Sequence, residues 1–335
     1  MTRVGVVIPT RDGGERFGAC LEALRRQDPP AEAVVIIDSG STDGTPERAR
    51  KHAGHLRGLT VQSITPQTFD HGITRNQAAA ALPPVDVIVF LVQDAVPLDD
   101  DFLGVLGAAC HQPGVGAATA RQVPPEGADF LTQATVSESP FAEDERVVTG
   151  PFPSTRIAAL SPRDWRALLR LDDVAAAVRG DVFRRSGYRQ TSHGEDALMA
   201  YDLLCAGWSL VHEPDAVVEH GHAYDPEGAH ERYRADARFF RERFGYRVRP
   251  SRLSAWKGLY HEFTRDLRWL MTYPEDRVPG AWGKSWALRR AQVVGQWRGS
   301  RGPLGRLPER REMPRPEELD RVAFGGRRAG REAAS

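Results

Sequence analysis

The sequence predicts an α/β protein built around a doubly wound sheet. Short apolar runs alternate with helical patterns through the first half of the chain, and polar turns follow several of these runs. Helical periodicity returns near residue 194, after a middle stretch interrupted by prolines. Ligands in doubly wound sheets bind beyond the carboxyl ends of the strands, so the polar turns mark the expected site.

Four short apolar runs predict buried strands in the first half. They cover residues 4–9, 33–38, 59–64 and 85–92. Between the first two runs, apolar side chains from Phe17 to Leu24 recur at i, i+3, i+4 and i+7, which is one face of a helix. The turns after the first, second and fourth runs begin at Thr10, Asp38 and Gln93. These turns should meet in one crevice.

The second half of the chain is less regular. Prolines interrupt the pattern from Gly114 to Asp173, and the next clear helix covers residues 194–208. Two short strands are expected around Pro214, followed by three helices. These helices cover about residues 226–244, 251–271 and 280–297.

Three regions follow from these patterns. Residues 1–245 form the α/β domain and residues 246–299 a mostly helical region. Residues 300–335 are rich in Arg, Gly, Pro and Glu, with almost no apolar residues. Such a composition cannot bury enough apolar surface to fold, so this tail is predicted to be disordered.

Composition excludes several classes of protein. The chain has 335 residues, of which 41% are hydrophobic and 27% charged, as in ordinary globular proteins. Its 45 basic and 45 acidic residues cancel, so we expect no nucleic-acid partner. No apolar run approaches the roughly 20 residues that span a bilayer, and no signal-like segment precedes the first strand. We therefore expect a cytoplasmic location.

Two aspartates follow predicted strands. Asp38, in IIDSGSTDGT, could accept hydrogen bonds from a base or ribose, or could simply cap its turn. Asp94, in FLVQDAVP, leaves the most apolar strand, where a lone carboxylate is costly unless it is paired or solvated. A hard cation that bridges Asp94 to a diphosphate would pair it. An exposed aspartate that opens a loop is the alternative.

Two further motifs carry titratable side chains. In VEHGHAY, His220 and His222 point to the same side of an extended backbone and could bind a divalent metal, or could be ordinary surface histidines. In SHGEDAL, Glu195 and Asp196 begin a helix, where the dipole favours carboxylates in any case. One of them could instead act as a general base toward an attacking hydroxyl.

The stretch TFDHGITRNQAAAAL gathers polar side chains at the mouth of an alanine-rich helix. His71, Arg75 and Asn76 surround Gly72 there, next to Asp70. The free amides and dipole of a helix N-terminus favour an anion, which predicts an anion site. The alternative is a well-capped helix with solvated charges.

The order of these motifs resembles the inverting GT-A glycosyltransferases of family 2. VVIPTRDGG, IIDSGSTDGT, the turn that carries Asp94, GED and the trailing histidine carry the resemblance, over about residues 3–245. FDHGITRN and FLVQDAVP are similar to the rhamnosyltransferase branch, which usually draws on dTDP-L-rhamnose and builds cell-surface polysaccharides. The resemblance implies a GT-A (Rossmann-like) nucleotide-sugar-binding domain with a mostly helical C-terminal extension.

The resemblance also implies roles for individual residues. The implied donor-binding residues are Pro9, Thr10, Arg11, Asp38, His71, Gly72, Arg75, Asn76, Gln93 and Asp94. Mg²⁺ or Mn²⁺ would be held by Asp94 with His220 and His222. Asp196 would be the catalytic base, with Glu195 as the second choice. Most relatives carry Asp-x-Asp where this chain reads Gln-Asp-Ala, so we expect weaker metal binding and more dependence on the histidines.

The resemblance also implies an acceptor, and the sequence leaves three alternative functions. The implied acceptor is a glycan or a lipid-linked glycan. A glycosyltransferase that uses a UDP- or GDP-sugar is the nearest alternative, followed by a sugar nucleotidyltransferase, although the turn after the first strand lacks a dense Gly-Lys pattern. A catalytically dead adaptor is a third, which the intact acidic and histidine motifs disfavour.

The C-terminal region has an unusual composition. Five of the seven tryptophans lie within residues 250–300, and twelve Lys or Arg stand against four Asp or Glu from Arg249 to Arg306. Tryptophan beside arginine suits a membrane interface, with Arg289 expected at the edge of an apolar helix side. Peripheral contact with the inner face of the membrane, a homodimer interface and simple helix packing all remain open.

Overall fold

A nine-stranded mixed sheet lies at the centre of the computed structural model, which describes residues 1–52 and 54–324. The strands are β1 (Val4–Thr10), β2 (Ala33–Asp38), β3 (Thr60–Ser63), β4 (Val87–Leu91), β5 (Val96–Pro97), β6 (Val115–Val123), β7 (Val147–Thr149), β8 (Ala175–Arg179) and β9 (Ser209–Glu219). Their order across the sheet is β3-β2-β1-β4-β8-β6-β9-β5, and β7 pairs with β9.

Half of the sheet is parallel, as the sequence predicts. β3, β2, β1 and β4 lie side by side and run in the same direction. β8 is antiparallel to both β4 and β6, and β6 runs parallel to β9. The sequence does not indicate β6 or β8, because both contain runs of alanine, which is depleted in strands.

The described residues form thirteen α-helices. They are α1 (Gly14–Arg25), α2 (Thr45–Lys51), α3 (His71–Ala80), α4 (Phe102–Cys110), α5 (Phe130–Ser137), α6 (Ser154–Ala159), α7 (Pro162–Leu168), α8 (Gly180–Ser186), α9 (Glu195–Cys205), α10 (Pro226–Phe244), α11 (Arg252–Thr272), α12 (Ala281–Gly299) and α13 (Pro316–Phe324). The three helices expected after residue 225 match α10, α11 and α12 to within two residues.

Two apolar layers cover the two faces of the sheet. In β1, Val6 and Ile8 enter one layer and Val7 enters the other, because alternate residues of a strand point to opposite faces. α1 and α4 cover the first face, whereas α3, α8 and α9 cover the second. This packing fixes the carboxyl ends of β1, β2 and β4 at one edge of the sheet.

β9 is one continuous strand where the sequence predicts two short ones. Its register with β6 shifts between Glu213 and Val217, so Pro214 lies in a bulge. Proline cannot donate a ladder hydrogen bond, and the bulge removes the need for one. The strand therefore continues to Glu219 and carries His220 to the edge where the polar turns lie.

The C-terminal helices pack against α10 and form a third apolar cluster. Leu270 of α11 and Leu288 of α12 meet Ala229 of α10 in this cluster. Arg289 is not at the edge of an apolar helix side. It is buried, and its Nη2 lies 2.8 Å from Asp266 Oδ1 on α11, which neutralises it. Within the part of the chain that the structure describes, no helix is both long and apolar enough to cross a bilayer.

Residues 301–324 lie against the α/β domain instead of being disordered. The Tyr201 hydroxyl donates to the Pro308 carbonyl at 2.9 Å. The Trp208 indole donates to the Pro314 carbonyl at 2.8 Å. Both side chains belong to the apolar layer that covers the second face of the sheet, so this C-terminal strap closes part of the core.

Buried carboxylates explain why composition is misleading for the C-terminal strap (residues 301–324). Arg311 Nε lies 2.8 Å from Asp202 Oδ2, and Asp202 has almost no exposed surface. Arginines that composition counts as solvated charges thus have fixed partners inside the fold. The prediction of disorder is wrong for the strap, and the rest of the predicted tail, residues 325–335, lies outside the described residues.

Candidate active site

The turns after β1, β2 and β4 meet at one edge of the sheet, as expected. The Gln93 side chain accepts a hydrogen bond from the Arg11 amide (2.7 Å) and donates one to the Arg11 carbonyl (2.9 Å). Asp12 of the same turn accepts from the Thr42 amide at 2.7 Å, which ties the first turn to the second. Gln93 therefore fixes the backbone of the first turn, and a contact with the donor remains a prediction for it.

Asp38 lies buried at the end of β2, where its own turn occupies the carboxylate. Oδ2 accepts from the amides of Gly40 (3.2 Å) and Ser41 (3.1 Å), and Oδ1 accepts from the Ser41 hydroxyl. The Thr10 hydroxyl lies 3.5 Å from the same carboxylate. These contacts are those of a turn cap, and a nucleotide contact remains a prediction for Asp38.

The N-terminus of α3 is capped from within the chain. Asp70 Oδ1 accepts hydrogen bonds from the amides of Gly72 (3.0 Å) and Ile73 (2.8 Å). A bound anion would otherwise use these amides. The first turn of α3 is therefore a capped helix start, which was the alternative to an anion site. This corrects the prediction that these amides bind an anion.

Gly72 and Asn76 connect α3 to the loop before α9. The Asn76 side chain donates to the Tyr188 carbonyl (2.9 Å) and accepts from the Tyr188 amide (2.7 Å). A Cβ on Gly72 would overlap the Arg189 carbonyl, so only glycine permits this approach. Both residues thus contact the chain, and a contact with the donor remains a prediction for them.

Arg75 is also turned inward. Its side chain is 4% exposed, with Nη1 3.0 Å from Glu195 Oε1 and Nε 3.2 Å from Asp173 Oδ2. The Asp173 contact is an ion pair without hydrogen-bond geometry. Two buried carboxylates therefore hold Arg75, and a contact with the donor's diphosphate remains a prediction for it. We call Gly72, Arg75 and Asn76, with their partners in residues 173–195, the α3 clasp.

A cavity of about 350 Å³ opens beside the clasp. The titratable side chains of its wall include His71, Arg75, Asp172, Asp173, Glu195, Asp196, His220, His222, Tyr224 and Arg232. Six of these were predicted from motifs far apart in the sequence. Pro9, which is half-buried, and Arg11, whose side chain is 61% exposed, lie outside its wall with Thr10 and Asp38.

The two carboxylates at the start of α9 have different environments. Burial opposes ionisation of Glu195, but the hydrogen bond with His71 and the Arg75 guanidinium lower its pKa to about 2. For Asp196, burial raises the pKa well above the ordinary value, and the carboxylates of Glu195 and Asp173 raise it further. Glu195 is thus a fixed anion, whereas Asp196 has the higher proton affinity that a general base requires.

Asp94, His220 and His222 form a cluster that could hold a metal ion. Asp94 Oδ2 lies 3.5 Å from His222 Nδ1 and 3.8 Å from His220 Nε2, and the three ligand atoms lie within 4.8 Å of one another. Burial lowers the pKa of His220, which favours the neutral form that binds metals. One carboxylate and two imidazoles fit Mn²⁺ better than Mg²⁺, which prefers oxygen ligands.

Arg16 supports this cluster and was not predicted. Its guanidinium bonds Glu219 Oε1 (2.9 Å) and the Asp94 carbonyl (3.3 Å), which joins the turn after β4 to the end of β9. On a helix such an arginine looks like a solvated charge. Asp172 and Asp173 were also missed, because they precede β8, a strand that the sequence does not indicate.

Comparisons with known proteins identify the family of this chain. The glycosyl transferase family 2 model matches residues 5–158. The O-antigen chain rhamnosyltransferase RfbN of Salmonella typhimurium is 30% identical over 233 residues, which are 69% of this chain and 70% of the relative. WbaN of Salmonella anatum, another O-antigen chain rhamnosyltransferase, is 28% identical over 235 residues, 68% and 69% of the two chains.

A solved structure gives the same fold. The mannosyltransferase PcManGT of Pyrobaculum calidifontis, solved with GDP-Man and Mn²⁺, aligns with a TM-score of 0.53 at 18% identity. The alignment covers 88% of this chain and 86% of that one. The matched family model, the rhamnosyltransferase relatives and this fold together show that the chain belongs to glycosyl transferase family 2.

Proposed function

We propose that the chain transfers L-rhamnose from dTDP-L-rhamnose to a hydroxyl of a glycan or lipid-linked acceptor, with inversion, during cell-surface polysaccharide synthesis. The observation that carries this proposal is the arrangement around one cavity. His220 and His222, which form a metal-competent cluster with Asp94, line the same cavity as Asp196, a carboxylate of raised pKa. The similarity to two O-antigen chain rhamnosyltransferases supports the choice of sugar.

The metal site is proposed to take Mn²⁺, or Mg²⁺ with lower affinity. When bound, the ion supplies positive charge against the diphosphate that leaves. Asp94, His220 and His222 would hold it, and Arg16 fixes the backbone of Asp94 relative to β9. The Mn²⁺ in the mannosyltransferase of similar fold supports this choice.

Asp196 is proposed to accept the proton of the acceptor hydroxyl. The hydroxyl oxygen bonds to the anomeric carbon from the face opposite the diphosphate, while the bond from that carbon to the diphosphate oxygen breaks. Glu195 remains ionised beside His71 and Arg75 and holds the start of α9 in place. In this proposal Arg75 is a positioning residue.

The nucleoside of the donor is proposed to lie against the turns after β1 and β2. Pro9, Thr10, Arg11 and Asp38 meet there, and Arg11 keeps a solvent-exposed guanidinium that can reach a ligand. Asp38 would add a ligand hydrogen bond to those that it already accepts. Gln93 would act by holding the Arg11 backbone.

We also propose that the C-terminal helices contact the inner face of the membrane peripherally. Several large apolar side chains are exposed on α11 and α12, and we call this set the aromatic face. It consists of Leu253, Trp256, Tyr260, Trp282 and Trp286. Tyr260 is 74% exposed, and a surface of this kind marks an interaction site. Homodimerisation through the same face is the alternative.

The distribution of charge around the aromatic face favours anionic lipid. Two of the four acidic residues near it, Glu262 and Asp266, are buried and paired with arginines. Most of the basic residues there remain at the surface, including Lys257, Lys284 and Arg290. Exposed aromatic rings and cations together suit the headgroup region of a bilayer.

Release of dTDP tests the function. The protein should release dTDP from dTDP-L-rhamnose with Mn²⁺ and an acceptor extract, and release UDP from UDP-glucose or GDP from GDP-mannose more slowly. Faster turnover of the UDP- or GDP-sugar would favour the alternative donor. A sugar nucleotidyltransferase would instead consume pyrophosphate and form a nucleoside triphosphate, without release of any nucleoside diphosphate.

A further inference from the structure

A second cavity lies between the α/β domain and the C-terminal helices. Its volume is about 510 Å³, within the ~300–1,000 Å³ typical of ligand sites. α5, the chain around Tyr224, α10 and α12 form its walls. None of its α12 residues belongs to the metal cluster, to the α3 clasp or to the aromatic face.

This second cavity adjoins the catalytic cavity. His222 and Tyr224 belong to the walls of both. α10 also contributes to both, because Tyr233 faces the second cavity while its neighbour Arg232 faces the catalytic one. The two cavities therefore meet at His222 and Tyr224.

The walls of the second cavity suit an uncharged sugar. Tyr224 and Tyr233 offer aromatic rings, and the structure gives neither hydroxyl a hydrogen-bond partner within residues 1–52 and 54–324. Thr135 adds a hydroxyl, and Leu131 and Leu288 add apolar surface. Sugars present both apolar ring faces and hydroxyls, which aromatic side chains with polar tips accommodate.

The charges of the second cavity argue against a nucleotide there. Arg289 is neutralised by Asp266 and donates to Gln292, so Lys284 is the main cation that the wall contributes. Asp129 and Asp225 also belong to the wall. A diphosphate would meet more negative than positive charge in this cavity.

We propose that the second cavity binds a sugar unit of the acceptor, next to the unit that receives the new sugar. The proposal rests on the proposed function, because the acceptor must place its attacking hydroxyl beside Asp196. An acceptor seated in the second cavity passes Tyr224 and reaches the catalytic cavity from the side of the C-terminal helices. The helical region thus contributes to acceptor specificity.

Saturation-transfer NMR with simple glycosides tests this site. The probes are the methyl glycosides of L-rhamnose, D-mannose, D-galactose and D-glucose, each at millimolar concentration. Ala287→Trp fills the cavity from α12, and Arg290→Trp adds the same side chain three residues away at an exposed position outside the wall. Wild type and Arg290→Trp should transfer saturation to at least one glycoside, and Ala287→Trp should transfer at least tenfold less.

Two results would overturn the proposal. One is saturation transfer from Ala287→Trp that equals that from wild type, and the other is no transfer to any of the four glycosides. Binding of dTDP with Mn²⁺, measured on the same samples, shows whether each variant is folded. If the wild type binds a glycoside but does not bind dTDP, the proposed function is contradicted. The sugar site is then still supported.

Discussion

Replacement of Arg75 by methionine tests the α3 clasp. Methionine fills similar volume but removes the charge that lies 3.0 Å from Glu195 and 3.2 Å from Asp173. Glu195 keeps His71 and the start of α9 as partners, whereas Asp173 keeps, among the described residues, only the Tyr188 hydroxyl at 2.6 Å. The variant therefore leaves essentially one buried carboxylate without a cation.

The magnitude follows from the burial of this ion pair. Removing one partner of a buried pair costs about 3–5 kcal/mol. Burial raises the pKa of Asp173 to about 7 against the attraction of Arg75, so the folded protein binds this proton more tightly than the unfolded chain. Stability therefore falls as pH rises from the ordinary value toward 7. Loss of Arg75 raises this pKa further, so the variant should lose more at pH 8 than at pH 6.

The assay is urea denaturation of wild type, Arg75→Met and a matched control. Arg50→Met removes an exposed arginine that pairs with Glu47 within one helix turn, which should cost about 0–1 kcal/mol. Adding Asp173→Asn to Arg75→Met should recover part of the loss. If Arg75→Met is as stable as the control while KM for dTDP-L-rhamnose rises, Arg75 faces the donor and the clasp is wrong.

Three further predictions follow. Asp196→Asn should lower the rate of sugar transfer by about 10²-fold or more and leave dTDP binding unchanged. Asp99→Asn is the exposed control, and an active Asp196→Asn variant would exclude Asp196 as the base. Because burial and nearby carboxylates raise the pKa of Asp196, kcat/KM of the wild type should rise with pH along a limb well above 3.8, and a limb at the ordinary value would contradict this environment. Vesicles of anionic but not neutral lipid should sediment the protein in low salt, less so after Trp256→Ala and Trp286→Ala; a dimer without sedimentation would favour self-association.

The strands and the metal cluster are the features that sequence predicts best. Apolar runs mark β1, β2 and β4 because buried parallel strands need continuous apolar residues. Once the carboxyl ends of these strands share an edge, Asp94 must lie near it. His220 and His222 follow a strand that reaches the same edge, although the bulge at Pro214 could not be foreseen.

The clasp and the C-terminal strap could not be predicted, because their partners lie far away along the chain. Asn76 bonds Tyr188, which is 112 residues away, and Arg311 meets Asp202. Local pattern shows that such side chains are polar, but not whether the fold neutralises them. The sequence pattern therefore predicts that Arg75 faces a ligand and that the strap is disordered.

Calorimetric titration of dTDP in Mn²⁺ and in EDTA tests the central claim, that Asp94 anchors a metal-linked donor site and Asp196 acts only on the acceptor. Wild type and Asp196→Asn should bind dTDP with equal affinity in Mn²⁺ and at least tenfold more weakly in EDTA. Asp94→Asn should bind weakly under both conditions. Equal affinity of wild type in Mn²⁺ and EDTA, or full Mn²⁺-linked binding by Asp94→Asn, would contradict the account.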